Sequence, residues 1–244
     1  MSKQPLISII TICYNSQDTI ERTIDSVLKQ EFMDYEYIIV DGASTDGTID
    51  IIKRYESLFE GRMHWKSEPD SGIYNAFNKG IAHSTGQYIW IVNSDDYLEA
   101  DALQTIAENV PNDSEPILCF ATKYIRNDGT INFLSSYVSG SKYGFIRDWA
   151  ITPHTSIVVP KRIYDMYGVY DETYKIMADV DWMHRIYKLK VPFVHFHNVI
   201  TNFTEGGIST TNKDLLEIDR KYYFIKNYRN PIVRYIHKFI WEKL

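Results

Sequence analysis

The first hundred residues alternate between short, β-branched apolar runs and longer stretches with helical spacing, and few folds accept that order. "LISIITI" (6–12) precedes "SQDTIERTIDSVLKQ", where Ile20, Ile24, Val27 and Leu28 share a helical face behind Ser16, a candidate N-cap. "YEYIIVD" (35–41) reads as a strand, 45–59 as a helix, "MHWKS" (63–67) as a strand, 72–84 as a helix, and "YIWIV" (88–92) as a fourth strand. This β-α-β-α-β-α-β order predicts a largely parallel, doubly wound sheet with right-handed crossovers. Ligands of such sheets gather at the carboxyl ends of the strands. Polar clusters stand at all four of those ends: "CYNS", "DGASTDG", "SEPDSG" and "NSDDY".

The second half is less regular. Residues 115–125 and 131–137 read as strands joined by the turn "RNDGT", 152–160 as another strand, and "VDWMHRIYKL" as a helix that begins near Asp179. One or two strands are expected in 192–204, then a helix over 213–228 and another after Pro231. No repeat or low-complexity linker interrupts the chain, so one domain with abutting lobes is expected. The 244 residues are 44% hydrophobic and 24% charged, ordinary for a globular protein of this size. Cys13 and Cys119 lie far apart without metal or redox spacing, which points to a reduced, cytoplasmic setting. "LISIITICY" carries Ser8 and Thr11 and lacks a cleavage site, so a buried strand is expected there instead of a signal peptide. No apolar run approaches the roughly 20 residues of a membrane span. The net charge of −6 argues against nucleic acid as a partner. It also hides an asymmetry: from Arg220 onward there are seven basic residues and one acidic residue.

Several side chains at the strand ends carry candidate chemistry. Asp41, followed by Gly42, closes a buried strand where backbone and ligand can approach closely; it suits a ribose or base contact, or a turn. Asp46 suits helix capping, and Tyr14 suits either base stacking or rim packing. Asp70 reads as a ligand contact or an N-cap, and Lys79 as a phosphate contact or a solvated charge. Asp95 and Asp96 are adjacent carboxylates after a buried strand, and unpartnered like charges there are costly. A hard divalent cation, Mn²⁺ or Mg²⁺, would compensate them; a helix start is the alternative. Asp179 and Asp181 are two residues apart on a helix, so they point to different faces and only one can enter a given pocket.

Together "ISIITICYNSQDTIERTIDSVLKQ", "YIIVDGASTDGT", "EPDSGIYNAFNKGI", "TGQYIWIVNSDDY" and, more loosely, "PHTSIVVPKRIYDMYGVYDETYKIMADVDWMHRI" resemble glycosyltransferase family 2, of the GT-A fold. The resemblance covers residues 6 to about 187 in family order. It implies a nucleotide-binding sheet with an abutting acceptor-binding lobe: 1–110 for the nucleotide-sugar, 111–210 for the acceptor and catalytic base, and 211–244 as basic amphipathic helices. It implies metal-dependent transfer, with inversion, from a nucleotide diphosphate-sugar to an acceptor hydroxyl, a UDP-sugar being favoured. Tyr14 and Asp41 match the base-binding pair with Thr11 beside them, Asp70 and Lys79 lie on the donor side, Asp95 matches the metal ligand, and Asp179 the catalytic base. The first Asp of the DxD motif is Asn93 here, which predicts weak metal binding before the donor arrives. The Glu that commonly precedes the base is Ala178, and no QxxRW motif marks a processive synthase. His154, Trp149 and Tyr143 are acceptor-side or core candidates. The resemblance also suggests a saccharide or lipid-linked saccharide acceptor in bacterial surface polysaccharide synthesis. The basic tail suits the anionic inner face of the plasma membrane, or packing on the protein. A sugar-nucleotide pyrophosphorylase and a non-catalytic nucleotide-sugar binding module are the competing readings.

Overall fold

Alternating apolar side chains on the first strands set the layers of the protein. The computed structural model describes residues 4–126, 128–135, 153–207, 212–228, 230–232 and 235. Strands β1 (Ile7–Cys13), β2 (Tyr35–Asp41), β3 (Met63–Ser67) and β4 (Tyr88–Ile91) fall where the sequence predicts them. On β1, β2 and β4 successive side chains enter different cores: Ile9, Tyr37 and Trp90 pack on one face, Ile10, Val40 and Ile91 on the other. Strands buried on both faces read as continuous apolar runs, as parallel strands between helical layers do. Helices α1 (Ile20–Leu28), α2 (Thr48–Glu56) and α4 (Ala102–Asn109) cover the first face. Helix α3 (Ile73–His83) covers the second, together with α5 (Lys161–Tyr167), α6 (Ala178–Lys188) and α7 (Lys213–Asn227).

The expected parallel sheet is found only over β3-β2-β1-β4. Beyond β4 the order continues β8-β6-β9-β5, with β7 paired to β6. Strand β8 (Ile157–Pro160) is antiparallel to β4 and to β6 (Ile117–Ile125), and the turn from β6 to β7 (Ile131–Ser135) is too short for a crossover. Strand β9 (Phe193–Thr204) is one strand, parallel to β6, and it receives the two-residue β5 (Tyr97–Leu98) on its other edge. A parallel half and a mixed half therefore meet at the β4–β8 seam.

Two details fix what the crevice is built from. Glu36 accepts from Ser8 Oγ and from the backbone N–H groups of Thr85 and Gly86, which pins the entry of β4 beside β1. A Cβ on Gly86 would lie 2.7 Å from the Ser8 nitrogen, so glycine is needed where the two backbones approach. Ser16 is not the N-cap of α1, because residues 16–19 form a turn in which its carbonyl accepts from Thr19 and Ile20. Its hydroxyl instead lies 3.0 Å from that of Ser94, at the crevice.

Candidate active site

The loops after β1 and β2 are bonded to each other before any ligand is considered. Asn15 N donates to Ser44 Oγ at 2.7 Å and Thr45 N to Asn15 Oδ1 at 2.9 Å. Gln17 N donates to Asp46 Oδ2 at 3.1 Å and Gly47 N to Gln17 Oε1 at 2.8 Å. Asp46 is thus a clasp between loops, and its other oxygen takes the Thr48 N–H at the start of α2. Asn15 (φ 49°) and Ala43 (φ 62°) hold left-handed conformations that cost an L-residue on the order of 1 kcal/mol each. The interlocked loops hold that strain, giving the pocket a set shape.

Within this frame Asp41 is fully buried, accepting from Ser44 N at 2.9 Å and Ser67 Oγ at 2.6 Å, with the Cys13 thiol 3.5 Å away. Burial, then the Asp41 charge, pushes the Cys13 thiol up, so it stays protonated. Above lies Tyr14, 63% exposed. Between them Gly42 forms a bare backbone floor: a Cβ there would lie 2.7 Å from Asp70 Oδ2 and 3.4 Å from the Tyr14 ring. Tyr14, Asp41 and Asp70 therefore come together around Gly42. Asp70 is not the N-cap of α3; that position is Gly72, whose N–H its carboxylate accepts at 2.9 Å. Thr11 does not reach the crevice, being fully buried with its hydroxyl accepting from Tyr37 at 3.1 Å. Lys79 is committed to the loop that carries Asp70, pairing with Glu68 at 3.0 Å and donating to the Pro69 carbonyl at 2.9 Å.

The acidic loop after β4 separates its two carboxylates. Asp96 is fully buried, accepting from Thr204 N at 2.9 Å and Asn93 Nδ2 at 3.0 Å, and so ties the loop to β9. Burial, then the neighbouring Asp95, holds the Asp96 carboxyl well above the usual range. It does not cap α4, whose N-cap is Asp101. Asp95 is held by its backbone: its carbonyl accepts from Arg22 Nη2 at 2.6 Å and Thr204 Oγ1 at 2.7 Å, while Arg22 lies 4.4 Å over the Tyr97 ring. No side chain among the described residues donates to the Asp95 carboxylate. Burial raises its pKa against the pull of His154 and Arg22, so a cation beside it would stabilise the ionised form. Among the described residues no group of three or more His, Cys, Asp or Glu side chains forms a metal cage. The donor set fits a hard cation taking one protein oxygen and completing its shell from diphosphate and water.

The opposite wall is the start of α6. Three successive N–H groups, of Lys175, Ile176 and Met177, donate to Asp219 Oδ2 on α7 at 2.8, 2.6 and 3.1 Å, which orients the helix entry. Asp179 follows, with Tyr74 OH donating to Oδ1 at 3.0 Å and His154 Nδ1 lying 3.5 Å from Oδ2. Burial and the Asp179 charge push the Tyr74 phenol far up, so it remains a donor. Asp181 points the other way, buried and satisfied by Tyr174 OH at 2.9 Å, Lys226 Nζ at 2.9 Å and Asn227 Nδ2 at 3.0 Å. His154 also reaches Asn93, with Nε2 3.1 Å from Oδ1. Its turn is fixed where the Thr155 carbonyl accepts from the Trp90 indole and from Thr201, each at 2.7 Å. His154 was only one of several acceptor-side or core candidates in the sequence, and Arg22, Tyr74 and Asp219 carried no local signal. Tyr143 and Trp149 lie outside the described residues.

A parallel half joined to a mixed half, with an exposed ring and carboxylates at the strand ends, is the architecture of GT-A glycosyltransferases. The chain belongs to glycosyltransferase family 2, whose profile, described as glycosyl transferase family 2, matches residues 8–169. It is 28% identical over 214 residues to a PGL/p-HBAD biosynthesis glycosyltransferase of Mycobacterium bovis, covering 86% of this chain and 81% of that protein. It is 44% identical over 102 residues to the putative teichuronic acid biosynthesis glycosyltransferase TuaG of Bacillus subtilis, covering 41% of this chain and 40% of that protein. Among solved structures, S. aureus TarS 1–349 in complex with UDP-GlcNAc superposes with a TM-score of 0.71 at 18% identity, covering 90% of this chain and 66% of that one. The mannosyltransferase PcManGT of Pyrobaculum calidifontis, in complex with GDP-Man and Mn²⁺, gives 0.64 at 16% identity, covering 94% and 66%. The chain spans only 39% of the longer TarS chain. No helix among the described residues is long and apolar enough to cross a membrane.

Proposed function

We propose that the chain moves a sugar, with inversion, from a nucleotide diphosphate-sugar to a hydroxyl of a saccharide or lipid-linked saccharide. The observation that carries this reading is the pairing of two carboxylates of different kind: Asp95, which takes no side-chain donor among the described residues, and Asp179, oriented by Tyr74 beside His154. In this reading Tyr14 stacks on the base, Asp41 and Asp70 hold the nucleoside side, and Asn93 and Asp95 stand at the diphosphate. Lys79 braces the loop that carries Asp70, and Thr11 supports the floor from below. Asp95 is the protein ligand of Mn²⁺ or Mg²⁺, which supplies charge neutralisation of the leaving diphosphate. Asp179 takes the acceptor proton on the opposite face of the sugar, and single in-line displacement inverts the anomeric centre.

Residues 1–110 supply the donor half in this scheme, 111–210 the acceptor half and base, and 211–244 a basic tail. A UDP-sugar is favoured by the UDP-GlcNAc complex of the TarS neighbour, and the GDP-Man complex names the competitor to screen against it. Relatives named for teichuronic acid and PGL/p-HBAD synthesis support a role in surface polymer assembly, and the basic tail suits the inner face of the plasma membrane. The test is a panel of nucleotide sugars incubated with the full chain, with and without Mn²⁺. Mn²⁺-dependent release of nucleotide from at least one donor is expected. Binding without turnover would indicate a nucleotide-sugar binding module, and formation of nucleoside triphosphate from added pyrophosphate would indicate a pyrophosphorylase.

The tail carries a membrane prediction of its own. Ile218, Ile225, Ile232 and Tyr235 are exposed, and the last 25 residues are strongly basic. Most of the segment after Pro231 lies outside the described residues. Removing 231–244 is expected to weaken sedimentation with anionic liposomes, because basic residues near such a surface contribute about 1 kcal/mol each. Equal sedimentation of the truncated and full chains would assign the tail to packing on the protein.

A further inference from the structure

Asn93 and His154 make one continuous connection between the loop that carries Asp95 and the carboxylate of Asp179. Asn93 Nδ2 donates to Asp96 Oδ2 at 3.0 Å, which turns Asn93 Oδ1 toward His154 Nε2 at 3.1 Å. The ring's other nitrogen, Nδ1, lies 3.5 Å from Asp179 Oδ2. The ring itself is wedged edge-on against Phe77, 5.4 Å between centroids, on a turn fixed by Trp90 and Thr201. His154 makes polar contacts with both Asn93 and Asp179.

We propose that Asn93 and His154 are positioning residues that form a rigid link setting the separation of Asp95 and Asp179. The catalytic consequence rests on the transfer reading given above; the link itself does not. This changes the meaning of Asn93. An amide presents a donor to Asp96 and an acceptor to His154 from one side chain, which a carboxylate cannot do. An Asp at 93 would set a second carboxylate about 3.0 Å from the fully buried one of Asp96, where both cannot ionise. It would also pull the imidazole off Asp179 by attracting it to the new charge. Asn93 is therefore required by the link, and the loss of one metal-facing charge is secondary.

The link assigns hydrogen to both ring nitrogens of His154: Nε2–H donates to the Asn93 amide oxygen and Nδ1–H faces the Asp179 carboxylate. Nitrogen-15 NMR of histidine-labelled full-length protein, with the His154 signals identified by their loss in His154→Gln, reads this directly. Hydrogen on both nitrogens is expected, and a bare nitrogen on either side overturns the link whether or not the chain transfers sugar. In the assay, Asn93→Asp and His154→Gln are expected to lower kcat about tenfold to a hundredfold, with the UDP affinity of His154→Gln in Mn²⁺ within about threefold of wild type. An Asn93→Asp enzyme that turns over at the wild-type rate, as a simple gain of metal-facing charge would give, also overturns it. Hydrogen on both nitrogens in a chain that turns over no donor would uphold the link and overturn the transfer reading instead.

Discussion

Asp179→Asn is expected to lower sugar transfer by about 10²- to 10⁴-fold while UDP binding in the presence of Mn²⁺ stays within about twofold of wild type. The amide keeps the shape of the carboxylate and its bond from Tyr74, but it cannot take a proton from an acceptor hydroxyl. Asp179 lies across the crevice from the nucleotide loops, so the donor contacts are untouched. The matched control is Asp181→Asn. Asp181 is buried in a network with Tyr174, Lys226 and Asn227, so its loss leaves Lys226 a less satisfied cation between α6 and α7. Its main expected effect is a lower melting temperature, because the buried carboxylate loses its charge-assisted bond from Lys226, worth about 1.5 to 3 kcal/mol. Near-normal transfer by Asp179→Asn, with loss of transfer in Asp181→Asn at a temperature where it is folded, would exchange the two roles.

Asp95→Asn is expected to remove the metal dependence of nucleotide binding and lower turnover by about 10²- to 10³-fold. Isothermal titration of UDP with and without Mn²⁺ reads the first effect and nucleotide release the second. The fold is not expected to suffer. The Asp95 backbone is held by Arg22 and Thr204 through its carbonyl, which the substitution keeps. The change also removes a charge that burdens buried Asp96, so the melting temperature should stay level or rise. A variant that binds UDP with an unchanged response to Mn²⁺ would remove Asp95 from the metal site.

The first half was legible in the sequence because its information is local. Strand periodicity, the helical spacing of Ile20, Ile24 and Val27, and an acidic or aromatic residue at each strand end all lie within a few residues of one another. The second half was legible only in part. The helix at Asp179 was expected, but β8 begins later than the apolar run suggests, because His154–Ser156 form a 3₁₀ turn instead of a strand. That turn depends on Trp90 and Thr201, 65 and 46 residues away in the chain, and no local pattern announces such a bond. Helix α5, directly after Pro160, has only seven residues and was read through as part of the surrounding segment. Lys79 shows the same limit: its place on a helix suggests a phosphate contact or a solvated charge, and its bonds to Glu68 and the Pro69 carbonyl, about ten residues earlier, are not announced by any local pattern.

Asn93 is where the two kinds of information conflict. By motif it is a missing acid; by geometry it is an amide that serves Asp96 and His154 at once. The same contrast separates Asp95 from Asp96, which are neighbours in sequence yet differ in partners. Asp96 is consumed by Asn93 and the Thr204 N–H, leaving Asp95 for chemistry.

Proton NMR of the first sugar product, taken while a turned-over donor is being consumed, tests the central claim most directly. With an α-linked UDP-sugar the new bond, to water or to an acceptor, should form in the β configuration, since the proposed single displacement uses Asp179 as base and passes through no covalent sugar intermediate. An α product at the earliest times would mean retention, and would contradict a single displacement driven by Asp179.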